Sequence, residues 1–203
     1  MGEMGLRERK KQRMYQDVSD IAVRLFLERG FDAVSVAEVA AAAGISKPTL
    51  FRYFPAKEDL VLHRIADHEA EAARVVAGAA DPVDALRRHF LAGLERRDPV
   101  TGLNDHPEVL AFHRLLYGTP ALVARAYAHL ERSEAALAEA LGGGLEARLA
   151  AGQLITVQRI LAQENWRRVA AGEAVEDVAP DAQRAAERAF GRLAAGLPEL
   201  SQS

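Results

Sequence analysis

The sequence predicts an all-α protein, and three observations carry that expectation. Alanine, the best helix former, fills 40 of the 203 positions. Apolar residues recur at three- and four-residue spacings, the pattern of amphipathic helices. No stretch sustains the strict alternation of a half-buried strand, so no sheet is expected.

The first helix is expected over roughly 7–29, because Met14, Val18, Ile21, Ala22, Leu25 and Phe26 fall on one helical face. Gly30 ends it as a C-terminal cap. Ser35 and Glu38 have capping-box spacing, so a short helix should start at Val36 and run to about Ala43. Gly44 permits the left-handed backbone of a tight turn. Ser46 can then cap a helix over Lys47–Tyr53, in whose first turn Pro48 is tolerated, and Pro55 ends it. A longer helix is expected from Lys57 to about Ala77. Others should cover Val83–Arg97, Pro107–Tyr117, Pro120–Leu141, Leu145–Ala171 and Asp181–Leu197, with Pro180 opening the last.

Composition excludes several classes. With no cysteine, the chain has no disulfide, thiolate metal site or cysteine nucleophile. The longest runs without charge are Leu115–Ala124 and Leu149–Gln158, far short of the ~20 apolar residues of a spanning helix. The first residues have no apolar signal core, so a cytoplasmic protein without membrane contact is expected. The six histidines lie at 63, 68, 89, 106, 113 and 129. His63 and His68 miss the i, i+4 spacing of a zinc-binding helix, and no HExxH occurs. No Gly-Lys-Ser/Thr follows Gly142-Gly143-Gly144, and no G-x-S-x-G is present. No enzyme, cofactor or metal is therefore expected.

Charge is uneven. The net charge is −3, yet residues 1–57 hold 10 basic against 7 acidic residues, while the rest hold 16 against 22. Five basic residues fall between Arg7 and Arg13. A basic head on an acidic body points to a polyanion met by the head. Arg7–Arg13 fits either a minor-groove or phosphate contact or a solvated end.

Two short helices joined by Gly44-Ile45-Ser46 read as a helix-turn-helix, whose second helix enters the major groove of DNA. The wider stretch, Ile21-Ala-Val-Arg-Leu-Phe-Leu-Glu-Arg-Gly through Ile45-Ser-Lys-Pro-Thr-Leu-Phe-Arg-Tyr-Phe-Pro-Ala-Lys-Glu-Asp-Leu, closely resembles the DNA-binding domain of the TetR family of bacterial regulators. The resemblance runs without gaps from about Asp17 to Leu62. It implies a DNA-binding domain over 1–56 and a helical ligand-binding and dimerisation domain over 57–203. It also implies a homodimer on a palindromic double-stranded operator, acting as a repressor released by a small molecule. On the matching positions, it places Ser35 and Lys57 at phosphates and Ser46, Lys47, Pro48, Thr49, Arg52 and Tyr53 at the DNA. Phe51 departs from the family's usual tyrosine and fits either a DNA contact or packing in the head. Leu50 and Phe54 are expected in the core.

The body resembles the family less. Its segment from Leu115 to Leu122 and its last helices faintly resemble the branch with acyl-CoA-like ligand domains. Phe90, Leu94, His113, Tyr117 and Tyr127 could line an apolar effector site or form ordinary core. The helix over Leu145–Ala171 is apolar on two faces, so one face should meet a second copy, with Ile160, Trp166, Phe190 and Leu193 at that interface. The competing class is a helical adaptor whose head binds protein rather than DNA.

Overall fold

The structure is a computed structural model. It describes the backbone of residues 6–66 and 68–196, and the side chains of 13–196 apart from 64 and 67. Among these residues it has helices and no strand: α1 Leu6–Arg29, α2 Val36–Ala42, α3 Lys47–Tyr53, α4 Asp59–Ala66, α5 Glu71–Val76, α6 Pro82–Glu95, α7 Pro107–Gly118, α8 Pro120–Ala140, α9 Gly144–Ala170 and α10 Val175–Gly196. A short 3-10 turn, Pro99–Thr101, follows α6. The all-α expectation holds. The basic run before Arg13, and Leu197, lie outside the described side chains.

Two expected elements are corrected. The single helix over 57–77 is two, α4 and α5, separated by a turn at 68–70. The turn carries Glu69, whose carboxylate binds His129 and Arg132 of α8, the latter at 2.9 Å. Glu71, just after it, takes His68 at 2.5 Å and His89 at 2.9 Å. These charged groups outweigh the sparse apolar pattern that suggested continuity. The last helix begins at Val175, and Pro180 lies inside it rather than at its start. An interior proline costs on the order of 3 kcal/mol. Burial of Val175 and Val178, five and two residues before the proline, offsets that cost by anchoring the first turn.

The chain packs as two units. The first comprises residues up to Ala66 together with Ala111–Ala126. Its core joins Val18, Ala22 and Phe26 of α1 to Val39, Leu50, Phe54, Leu60, Leu116 and Leu122. The buried Ser19 hydroxyl donates to the Leu60 carbonyl at 2.8 Å, tying α1 to α4. Arg125 grips Asp59 with two bonds, of 2.9 and 3.1 Å. Packing therefore divides the chain at 66/67 and recruits a distant segment. The motif ends alone place the functional division at 56/57.

The second unit comprises Asp67–Leu110 and Tyr127 onward. Its core joins Leu86, Phe90 and Leu94 of α6 to Leu137, Leu154, Val178 and Phe190. The 3-10 turn docks on α9. A Cβ on Gly102 would sit 1.9 Å from the Ala162 carbonyl oxygen, so glycine is required there. Asn165 Nδ2 donates to the Thr101 carbonyl at 2.9 Å, satisfying a buried amide.

Candidate nucleic-acid interface

The helix-turn-helix is built from local chemistry. The Ser35 amide donates to Glu38 Oε2 at 2.8 Å, and the Glu38 amide donates to Ser35 Oγ at 3.2 Å, closing the capping box of α2. Arg29 adds a 2.6 Å bond to the same carboxylate. The Ser35 amide, then Arg29 and the Ser35 hydroxyl, hold the Glu38 carboxyl down to about 2. After α2, the Ile45 amide reaches the Ala40 carbonyl across Gly44, whose φ is +66°. Only glycine adopts that backbone readily. Ser46 Oγ then accepts from the Thr49 amide at 3.2 Å, and Pro48 fits the first turn, where no amide is needed.

Seven residues form α3, and they divide cleanly. Leu50 is fully buried, and Phe54 follows at the cap, nearly so. Lys47, Pro48, Phe51 and Arg52 are exposed on the other side, and α3 carries no acidic residue. The inward pair fixes the helix, and the outward set is basic, aromatic and free to meet a polyanion.

Several expected site residues take specific local roles. The Ser46 and Thr49 hydroxyls bond each other at 2.8 Å. Arg52 lies over the Tyr53 ring, 5.1 Å from its centroid, and donates to the Tyr53 hydroxyl at 3.3 Å. Tyr53 meets Tyr15 edge-on at 5.2 Å, which fixes the end of α3 against α1. Lys57 points inward. Its ammonium donates to the Phe31 carbonyl at 2.5 Å and lies over the Phe31 and Phe26 rings at 4.3 and 5.4 Å. Sequence reasoning missed this tie, although two aromatics near the end of α1 were visible. Phe51 is 41% exposed and is not part of the core of the first unit.

The body residues fall differently from one another. Phe90 and Leu94 are buried in the core of the second unit. His113 and Tyr117 belong to the first unit, their rings 6.0 Å apart. Burial pushes the His113 imidazole down to about 4. Tyr127 is exposed, with Arg159 5.9 Å from its ring centroid. Of the expected interface set, Ile160 is exposed, and Trp166 and Leu193 are half-buried. Phe190 is instead a core residue of its own chain, 6.2 Å from Phe90. Its place on the buried stripe of α10 explains the correction.

Residues 19–63 match the family described as bacterial regulatory proteins, tetR family. The chain is 35% identical over 134 residues to the HTH-type transcriptional regulator TcmR of Streptomyces glaucescens, covering 64% of this chain and 58% of that protein. It is 30% identical over 124 residues to the putative mycofactocin biosynthesis transcriptional regulator MftR of Mycobacterium tuberculosis, covering 54% and 61%. The matches thus span about three fifths of these relatives. The fold is shared with NalD of Pseudomonas aeruginosa, the secondary repressor of the MexAB-OprM multidrug efflux pump, at a TM-score of 0.57 and 17% identity, covering 90% of this chain and 96% of NalD. A putative TetR-family transcriptional regulator from Mesorhizobium loti gives 0.55 at 18% identity, covering 91% of this chain and 96% of that one. Among the described residues, no helix is long and apolar enough to cross a membrane.

Proposed function

We propose that this chain, whose residues 19–63 match the bacterial regulatory proteins of the tetR family, is a cytoplasmic transcriptional regulator of that family acting as a repressor. It binds a palindromic operator as a homodimer and leaves it when a small, largely apolar molecule occupies the helical body. Residues 1–56 carry DNA binding, and 57–203 carry the effector and the dimer. The observation that carries this reading is the two-sided α3, anchored by Leu50 and Phe54 and presenting Lys47, Pro48, Phe51 and Arg52. A helix with its side chains fills the major groove, where its first residues reach base edges.

In this scheme Arg52 reads a base. Ser46, Thr49 and Tyr53 hold the helix end and the adjoining phosphates, and Ser35 meets the backbone beside them, while Lys57 braces the head through the Phe31 carbonyl. Phosphate contacts orient the protein, and base contacts select the site. Dimerisation rests on the exposed face of α9 around Ile160, with Trp166 of α9 and Leu193 of α10 as further contacts.

The test is selection of bound duplexes from a random pool by the full-length protein. The expected product is a palindrome whose half-sites lie about one helical turn, or a multiple of it, apart. Enrichment of no sequence, or binding of no duplex even at low salt, overturns the reading.

A further inference from the structure

We propose that Phe51 is a specificity-determining residue that reads the 5-methyl group of a thymine in each operator half-site. This rests on the placement of α3 in the major groove proposed above. α3 also carries polar groups, each with a local partner. The Ser46 and Thr49 hydroxyls are engaged with each other. The Arg52 guanidinium lies over Tyr53 and bonds its hydroxyl. Among the exposed side chains of α3, Lys47, Pro48, Phe51 and Arg52, the aromatic one is Phe51, 41% exposed, with the Lys47 ammonium 5.8 Å from its ring centroid.

A phenyl ring has no donor for a phosphate oxygen and no acceptor for a base amine. Holding it in water costs free energy that burial against an apolar surface recovers. The major groove displays one apolar group, the thymine 5-methyl, among the polar edges of the other bases. Lys47 beside the ring supplies the charge that brings the polyanion to this face and leaves the ring over the base edge. The same chemistry accepts 5-methylcytosine, which carries its methyl at the same place.

The test uses the full-length protein and the duplex found by selection. Each thymine is replaced in turn by deoxyuridine, which removes only the methyl group, and affinity is read by fluorescence anisotropy. One thymine per half-site should matter, its replacement weakening binding about fourfold, and about fifteenfold when both half-sites are changed. Phe51→Ala should bind thymine and deoxyuridine duplexes equally. Placing 5-methylcytosine at that position should bind the wild type better than cytosine does. Affinity unchanged by every deoxyuridine overturns the proposal, as does a deoxyuridine effect that persists undiminished in Phe51→Ala. Failure to select any duplex overturns the regulatory reading instead, so the two failures are distinct. Because Phe51 is exposed, Phe51→Ala should keep the wild-type melting temperature, and a large fall would refute the outward placement.

Discussion

Phe190 and Ile160 both belong to apolar stripes of long helices, yet the structure gives them opposite environments. Phe190 is 1% exposed and stacks at a tilt on Phe90, within the core of the second unit. Ile160 is 52% exposed. Replacing a buried phenylalanine by alanine removes its transfer free energy and leaves a cavity, a loss of about 3–5 kcal/mol. For a chain of this size, ~2–4 °C per kcal/mol brings the melting temperature down by about 10 °C. Ile160→Asp removes no internal contact of that kind and should change the stability of the isolated chain by about 0.5 kcal/mol or less. In a two-fold dimer built on this face, it would set two carboxylates against each other away from water. The assay is thermal unfolding by circular dichroism, with sedimentation velocity on the same samples. Phe190→Ala should melt early. Ile160→Asp should stay folded but sediment as a 22.0 kDa monomer where the wild type is a dimer. A Phe190→Ala protein melting within a degree or two of wild type would refute the core assignment. An Ile160→Asp protein that remains dimeric would refute the interface.

Arg52→Ala should weaken operator binding by about 1–3 kcal/mol and relax selection at one position in each half-site, as read by repeating the duplex selection. Lys57→Ala should lower the melting temperature of the head, because it removes both a charged hydrogen bond to the Phe31 carbonyl and the cation over two rings, together worth about 2–4 kcal/mol; an unchanged melting temperature with uniformly weaker DNA binding would restore the phosphate role alone. His113 is held neutral by burial down to about 4, against an ordinary value of 6.5. Between these values the unfolded chain takes up a proton that the folded chain refuses. Its contribution to stability is therefore complete above about pH 6.5 and is lost as the pH falls toward 4. Urea unfolding across that range should show a shallower slope for His113→Asn than for wild type.

The head was legible because each of its bends is written in local chemistry. Ser35 and Glu38 announce α2, Gly44 the turn, and Ser46 with Pro48 the start of α3, and all of these devices act within a few residues. The parts that were not legible depend on distant partners. Glu69 breaks the long helix through His129 and Arg132, about 60 positions away. Lys57 turns inward because Phe26 and Phe31 wait on the far side of a loop. Leu116 and Leu122 enter the core of the first unit from beyond residue 110. Periodicity shows that a face is buried but carries no information about what covers it.

The same distinction governs α9. Its sequence is apolar on two faces, and the structure settles only one of them. Ala147, Ala150, Ala151, Leu154, Ile155, Asn165 and Val169 are buried, and they lie on one side of the helix. Leu145, Leu149 and Ile160 are exposed. At 3.6 residues per turn these three fall within about a sixth of the circumference, opposite the buried set. Two of them, Leu145 and Leu149, sit one turn apart near the start of the 27-residue helix, and Ile160 lies three turns further on with Gln153 and Thr156 between. In the proposed homodimer a second copy of α9 running the other way would cover these residues with two-fold symmetry. Phe190, the residue first expected beside it, is already committed to the core. The proposed interface therefore rests on α9 more heavily than on α10, with Leu193 contributing from its half-buried edge.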